Sequence, residues 1–332
     1  MNRAQGRAPS TGRIGYFGKI PAHSDFIKLT DDLPVVGMLD DWITQVMTRL
    51  SPDPRWKLNY DAMAPASFAF VGPDRRHAVA GYLVASHDRS GRRFPFLMMR
   101  TVDVADPGAF VVHCPLAFGP LWDYLEGMAP HVVGSGDPSA WLHAIGDASG
   151  DLGDLGEHGP DAEGTPADRP GLATVGELSA QTAQAAHRMI LGLGLLLQPV
   201  MQSRPASLDK SLVLPLPHDR ALQYAGAAFW LALVTPFIRG SGFDLVLFVT
   251  RVRERPALVV GFGGAAAGTL HALIDPLVAA DQQVHLADDA WIDEQVGLDV
   301  DVRALASYLE QPALSLRLAR ELFLKTFIGA AP

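Results

Sequence analysis

Hydrophobic positions recur along the chain in two periods, and each period predicts a different kind of element. Leu39, Trp42, Ile43, Val46, Met47 and Leu50 fall three or four residues apart, which predicts a helix over 35–50 with one buried face. Phe118, Leu121, Trp122 and Leu125 repeat that spacing and predict a helix over 116–128. Short apolar runs bounded by Gly, Pro and charged residues predict strands over 13–17, 66–71, 77–85 and 93–102, with Gly72, Pro73 and Asp74 turning the chain between two of them. Further along, Thr174 and Glu177 have the spacing of a capping box, opening a helix that Pro199 should stop near residue 198. Strands are predicted over 211–214, 243–251 and 257–262, and helices over 218–234, 269–280 and in the C-terminal stretch. Consecutive strands joined by short turns pair antiparallel. The expected class is α/β: two domains, each an antiparallel or mixed sheet packed with helices.

Charge supplies the boundary between the two. The chain has 332 residues and a net charge of −9. Between residues 147 and 168 stand Asp147, Asp151, Asp154, Glu157, Asp161, Glu163 and Asp168, with no Lys or Arg, among repeated Gly and with Pro160 and Pro166. Such a stretch repels itself and has nothing to bury. The expected organisation is a tail over 1–12, a first domain over 13–146, an acidic Gly-rich linker over 147–173, and a second domain over 174–332. Asp151, Asp154 and Glu157 lack the alternate spacing of a calcium loop. An acidic balance without a basic cluster argues against nucleic acid as a partner. The uncharged stretches 221–238 and 256–274 are interrupted by Gln223, Tyr224 and Pro236 in one and by Gly261, Gly263, Gly264 and Gly268 in the other, so both are expected in the core and not in a membrane. Residues 1–12 lack the apolar run of an export signal, and one cysteine permits no intramolecular disulfide; a cytoplasmic location is expected.

Candidate chemistry is sparse. Cys114 has the start of a phosphatase loop, but Pro120 stands where that loop needs an arginine, so a buried thiol is expected. His23, Ser24 and Asp25 are the residue types of a catalytic triad, yet consecutive positions cannot form its relay. Ser207 and Lys210 have a hydrolase-like spacing without its companion motifs. The histidines are scattered and suggest no metal site. Gly261 to Gly264, followed by Ala265 and Ala266, has the form of a dinucleotide fingerprint, and Asp288 is placed to meet a ribose; against it, the preceding strand belongs to a hairpin. A nucleotide-binding enzyme using Gly261–Gly264 is therefore the alternative reading. No catalytic, cofactor or metal site is expected otherwise.

Two loops differ in kind. Residues 18–26 set polar Lys19, His23, Ser24 and Asp25 between apolar anchors, with Pro21 fixing the backbone. Residues 86–95 gather Asp88, Arg89, Arg92 and Arg93 at a turn, with Asp88 and Gly91 spaced as its first and fourth positions. Structurally, Asp88 caps that turn and Arg92 pairs with Asp25 or Asp88; functionally, the two loops form one recognition surface of Lys19, Pro21, His23, Asp25, Asp88, Arg89, Arg92 and Arg93.

The segment GYFGKIPAHSDFI resembles the opening of the TagF family, also called ImpM, of type VI secretion-associated proteins, through Gly15, Gly18, Lys19, Pro21, Asp25 and Phe26. Asp41 and Trp42, then Ala64, Pro65, Phe68, Phe70 and Gly81, follow the family's order. SHDRSGRRFPF matches its second loop at Ser86, Asp88, Gly91, Arg92, Phe94 and Pro95. The departures are His23 for a common Arg, Ser24 for Gly and Ala85 for Pro. The likeness spans residues 13–130. It implies a cytoplasmic, non-enzymatic protein that represses assembly of the type VI secretion machine after translation. It also implies partners in a forkhead-associated scaffold protein and its kinase/phosphatase switch.

Overall fold

The computed structural model describes residues 12–148, 177, 183–286, 291–311 and 314–329. The first half contains β1 (Gly15–Gly18), β2 (Ile27–Leu29), α1 (Leu33–Leu50), α2 (Trp56–Asp61), β3 (Ala66–Val71), β4 (His77–Val84), β5 (Phe96–Asp103), α3 (Pro107–Gly134) and α4 (Ser139–Asp147). The second contains α5 (Ala183–Ser203), β6 (Ser211–Pro215), α6 (Arg220–Ile238), β7 (Leu245–Val252), β8 (Arg255–Gly261), α7 (Ala267–Ile274), α8 (Pro276–Gln282), β9 (Gln283–His285), α9 (Trp291–Leu298), α10 (Val300–Leu309) and α11 (Leu316–Phe327).

The α/β class holds, with one difference in architecture. Strands from both halves join a single nine-stranded sheet among the described residues, in the order β2-β1-β5-β4-β3-β7-β8-β6-β9. The junction is β3 against β7, antiparallel, with Ser67 opposite Val249 and Phe70 opposite Val246. All pairings are antiparallel except β6 with β9. The expected 147–173 linker, the 1–12 tail, the capping threonine at 174 and Asp288 lie almost wholly outside the described residues.

Alternation along the strands builds a core on each face of the sheet. Ala69, Val71, Ala80, Met98, Leu214, Leu247 and Leu258 pack with α3, α5, α6 and the C-terminal helices. Their neighbours Phe68, Phe70, Val79, Met99, Val213, Phe248 and Val259 pack with α1, α2 and α7. Aspartates and a serine start the helices: Asp32, Asp106, Asp219, Asp275, Asp299 and Ser315 each accept a backbone N–H of the first turn. α6 is long and apolar enough to cross a membrane by length and composition, and 67% of that stretch is buried within this fold. It packs beside α3 and α5, and its Trp230 indole donates to the Pro215 carbonyl at 2.8 Å.

Some predicted helix limits shift. α5 continues through Pro199 to Ser203, because proline removes one amide donor and the Ser203 hydroxyl still reaches the Pro199 carbonyl at 2.8 Å. The helix predicted over 269–280 is two helices, divided where Asp275 ends α7 and caps α8 at Leu277.

Candidate functional site

The two loops lie side by side because β1 and β5 are neighbours, with Gly18 opposite Phe96. Gly18 has φ +132°, and a Cβ there would fall 2.1 Å from the Pro95 carbonyl oxygen; only glycine lets the loops approach this closely. Ser24, where the family pattern has Gly, does not have a positive φ, so its backbone accepts a side chain without strain.

Asp88 organises the pair. Its Oδ1 accepts from the Ser90 amide (3.0 Å), the Ser90 hydroxyl (2.7 Å) and the Arg92 amide (3.0 Å). Its Oδ2 accepts from Lys19 Nζ (2.9 Å) and Arg92 Nε (2.6 Å). Asp88 is fully buried and Lys19 is 7% exposed, so this ion pair between the loops is shielded from solvent. Burial pushes the Asp88 carboxyl up, but the hydrogen bonds from Ser90, Lys19 and Arg92 outweigh it and hold the group well below the usual carboxylate range. The turn itself closes with the Gly91 amide on the Asp88 carbonyl at 2.9 Å, with Gly91 at φ +79°.

Backbone contacts complete the lock. The Arg89 amide donates to the His23 carbonyl at 2.8 Å, and its guanidinium donates to the Ala22 carbonyl. Arg92 also reaches the Ser24 carbonyl at 2.8 Å. Arg93 turns away and makes a two-pronged pair with Asp61 of α2 at 2.8 and 2.6 Å. That hydrogen bond lowers the Asp61 carboxyl despite its partial burial.

Of the eight residues expected at the surface, the structure brings Lys19, His23, Asp88, Arg89 and Arg92 into one hydrogen-bonded cluster. Lys19 and Asp88 lie beneath it, and Pro21 is half-buried. His23, Asp25, Arg89 and Arg92 are exposed. Arg92 pairs with Asp88; Asp25 accepts from the Phe26 amide at 2.8 Å. Two supports lie outside those eight residues. Tyr60 of α2 donates its hydroxyl to the Ser86 carbonyl (2.9 Å) and accepts the Ser86 amide (3.0 Å), pinning the base of the second loop. Phe26 stacks on Phe17 at 5.6 Å, meets Phe94 edge-on at 4.8 Å and carries Lys19 Nζ 4.8 Å above its ring, yet is 43% exposed. The apolar residues flanking each loop were the available signal.

Elsewhere the decoys resolve. Cys114 is buried, its thiol donates to the Val111 carbonyl at 3.3 Å, and burial pushes its pKa up. β8 is antiparallel to both β7 and β6, so the glycine run after it opens no parallel βαβ unit. The Gly264 amide is taken by the Asp244 carbonyl at 2.7 Å and the Ala266 amide by Gly263 at 3.0 Å. A Cβ on Gly261 would meet Thr269 Oγ1 at 2.2 Å, so this glycine serves strand–helix packing.

Residues 15–145 match the TagF N-terminal domain, Type VI secretion system-associated. This part of the chain is similar to that domain. Both loops and the α2 support lie inside it. Among solved structures, the chain is similar to PA0076 from Pseudomonas aeruginosa PAO1, with 24% identity and a TM-score of 0.34, covering 42% of this chain and 62% of that one. The chain thus spans less than two thirds of that relative. No curated protein matches it.

Proposed function

We propose that the protein is a non-enzymatic, post-translational repressor of type VI secretion assembly that works by binding another protein through the paired loops of its TagF N-terminal domain. One observation carries this reading: the segment that matches the domain contains both loops, and they are locked into one rigid platform around Asp88. A platform held from below leaves His23, Asp25, Phe26, Arg89 and Arg92 at its surface at little entropic cost on binding. Asp88 is a poor general base, since both of its oxygens are occupied and its carboxyl is held ionised. The partner that fits the family likeness is the forkhead-associated scaffold, with the kinase/phosphatase switch acting on the same assembly, in the cytoplasm. The test is to overproduce the chain in a cell with a fluorescently tagged sheath of the machine. Sheath assemblies should become rare with the wild-type chain and stay abundant with a chain bearing Arg89→Ala and Arg92→Ala. Equal repression by both would defeat the proposal.

A further inference from the structure

Strand registers put the β7–β8 hairpin at the same end of the sheet as the paired loops. Gly18 lies opposite Phe96 and Phe96 opposite Val84, Ala66 opposite Leu83, Ser67 opposite Val249, and Val252 opposite Arg255. The end of α2 touches both. Arg93 holds Asp61 at the end of α2, and Asn59, Ala62 and Met63 form one wall of a groove of about 290 Å³ whose other wall includes Arg251, Arg253 and Glu254.

The hairpin tip is unusual in itself. Its two turn residues, Arg253 and Glu254, have φ of +49° and +63°, where Asn or Gly would sit without strain. Arg251 braces the turn, donating to the Glu254 carbonyl at 2.6 Å. Arg253 and Arg255 are exposed and, among the described residues, have no hydrogen-bond or carboxylate partner. Both line a second groove of about 300 Å³ whose apolar wall is Met189, Val213, Pro215 and Leu286. Two exposed guanidinium groups, on either side of Glu254 and beside an apolar slot, make a local excess of positive charge in a chain of net charge −9.

We propose that this hairpin tip is a second contact on the same docking rim, and that it takes an acidic segment of the partner protein bearing an apolar side chain. Arg253 and Arg255 receive the carboxylates, and the slot beside them receives the apolar group. The inference rests on the proposed function, since it takes the paired loops to be a partner surface.

The probe is a short fluorescein-labelled peptide of aspartates and glutamates around one leucine, titrated with the full chain and read by anisotropy. The wild-type chain should bind it. A chain with Arg253→Glu and Arg255→Glu should bind at least about tenfold more weakly. Replacing the leucine by serine should also weaken binding. A Glu254→Gly chain, whose turn is relaxed and less negative, should bind at least as well, which separates lost contact from a damaged hairpin. No binding by the wild-type chain, equal binding by the charge-reversed chain, or equal competition from a single-stranded oligonucleotide would overturn the inference. Failure at the hairpin leaves the loop reading standing, because partner capture by Arg89→Ala and Arg92→Ala chains tests that reading separately.

Discussion

Asp88 accepts hydrogen bonds from Lys19, Ser90 and Arg92 on its two carboxylate oxygens, and Lys19 is buried with it. Asp88→Ala strands the Lys19 ammonium without its counter-charge and should lower the melting temperature far more than Arg92→Ala, whose side chain is mostly in solvent. The pH dependence has a definite sign. The folded carboxyl lies below its unfolded value of about 3.9, so the unfolded chain takes up the proton first. The contribution of Asp88 is complete above about pH 4 and fades as pH falls through the folded value; Asp88→Asn should flatten the acid limb of stability against pH in urea titrations. Tyr60→Phe leaves the buried Ser86 amide unpaired, while the Ser86 carbonyl keeps the Phe94 amide, and should cost about 1–3 kcal/mol by chemical unfolding. At this scale the sequence made residue types legible and pairings illegible. Asp88 and Gly91 announce a turn by their spacing, but Lys19 stands 69 positions from Asp88, and only the β1–β5 register brings them together.

Elements with a strong period were legible, and those without one were not. α1 begins two residues before its predicted start because Asp32 and Pro34 form its first turn. α3 runs from Pro107 to Gly134, well past the predicted 116–128, and contains Pro115, Pro120 and Pro130. Prolines read as breaks locally, yet burial against β3, β4 and α6 holds the helix together around them. β2 is three residues and α2 is six, too short for any period to register. The β3–β7 seam carries a prediction of its own. Phe248 of β7 is fully buried, and its ring lies 6.1 Å from Trp42 of α1, in the other half of the chain. Phe248→Ala should cost about 3–5 kcal/mol, and fluorescence and circular dichroism should report it as one unfolding transition, because the cavity opens in a core both halves share.

For the whole molecule, two domains were expected from the acidic stretch, and a composition shift is good evidence of a change in chain character. It says nothing of strand pairing across it. Which edges meet is decided by tertiary contacts that leave no local pattern, and here they join β3 to β7 and place Arg75 of one half on Asp244 of the other. A chain cut after residue 148 would expose the unpaired edge of β3 and the apolar face of α3 that α6 covers. Such a fragment should aggregate or self-associate in size-exclusion chromatography, where the full chain does not. The rim at one end of the sheet is therefore a property of the intact chain, with the paired loops from one half and the arginine hairpin from the other.

The most direct measurement is capture of the forkhead-associated scaffold by the purified full chain, compared with a chain bearing Arg89→Ala and Arg92→Ala. Capture should fall at least about tenfold in the variant, with the melting temperature moving by only a few degrees. Undiminished capture by the folded variant would contradict the account.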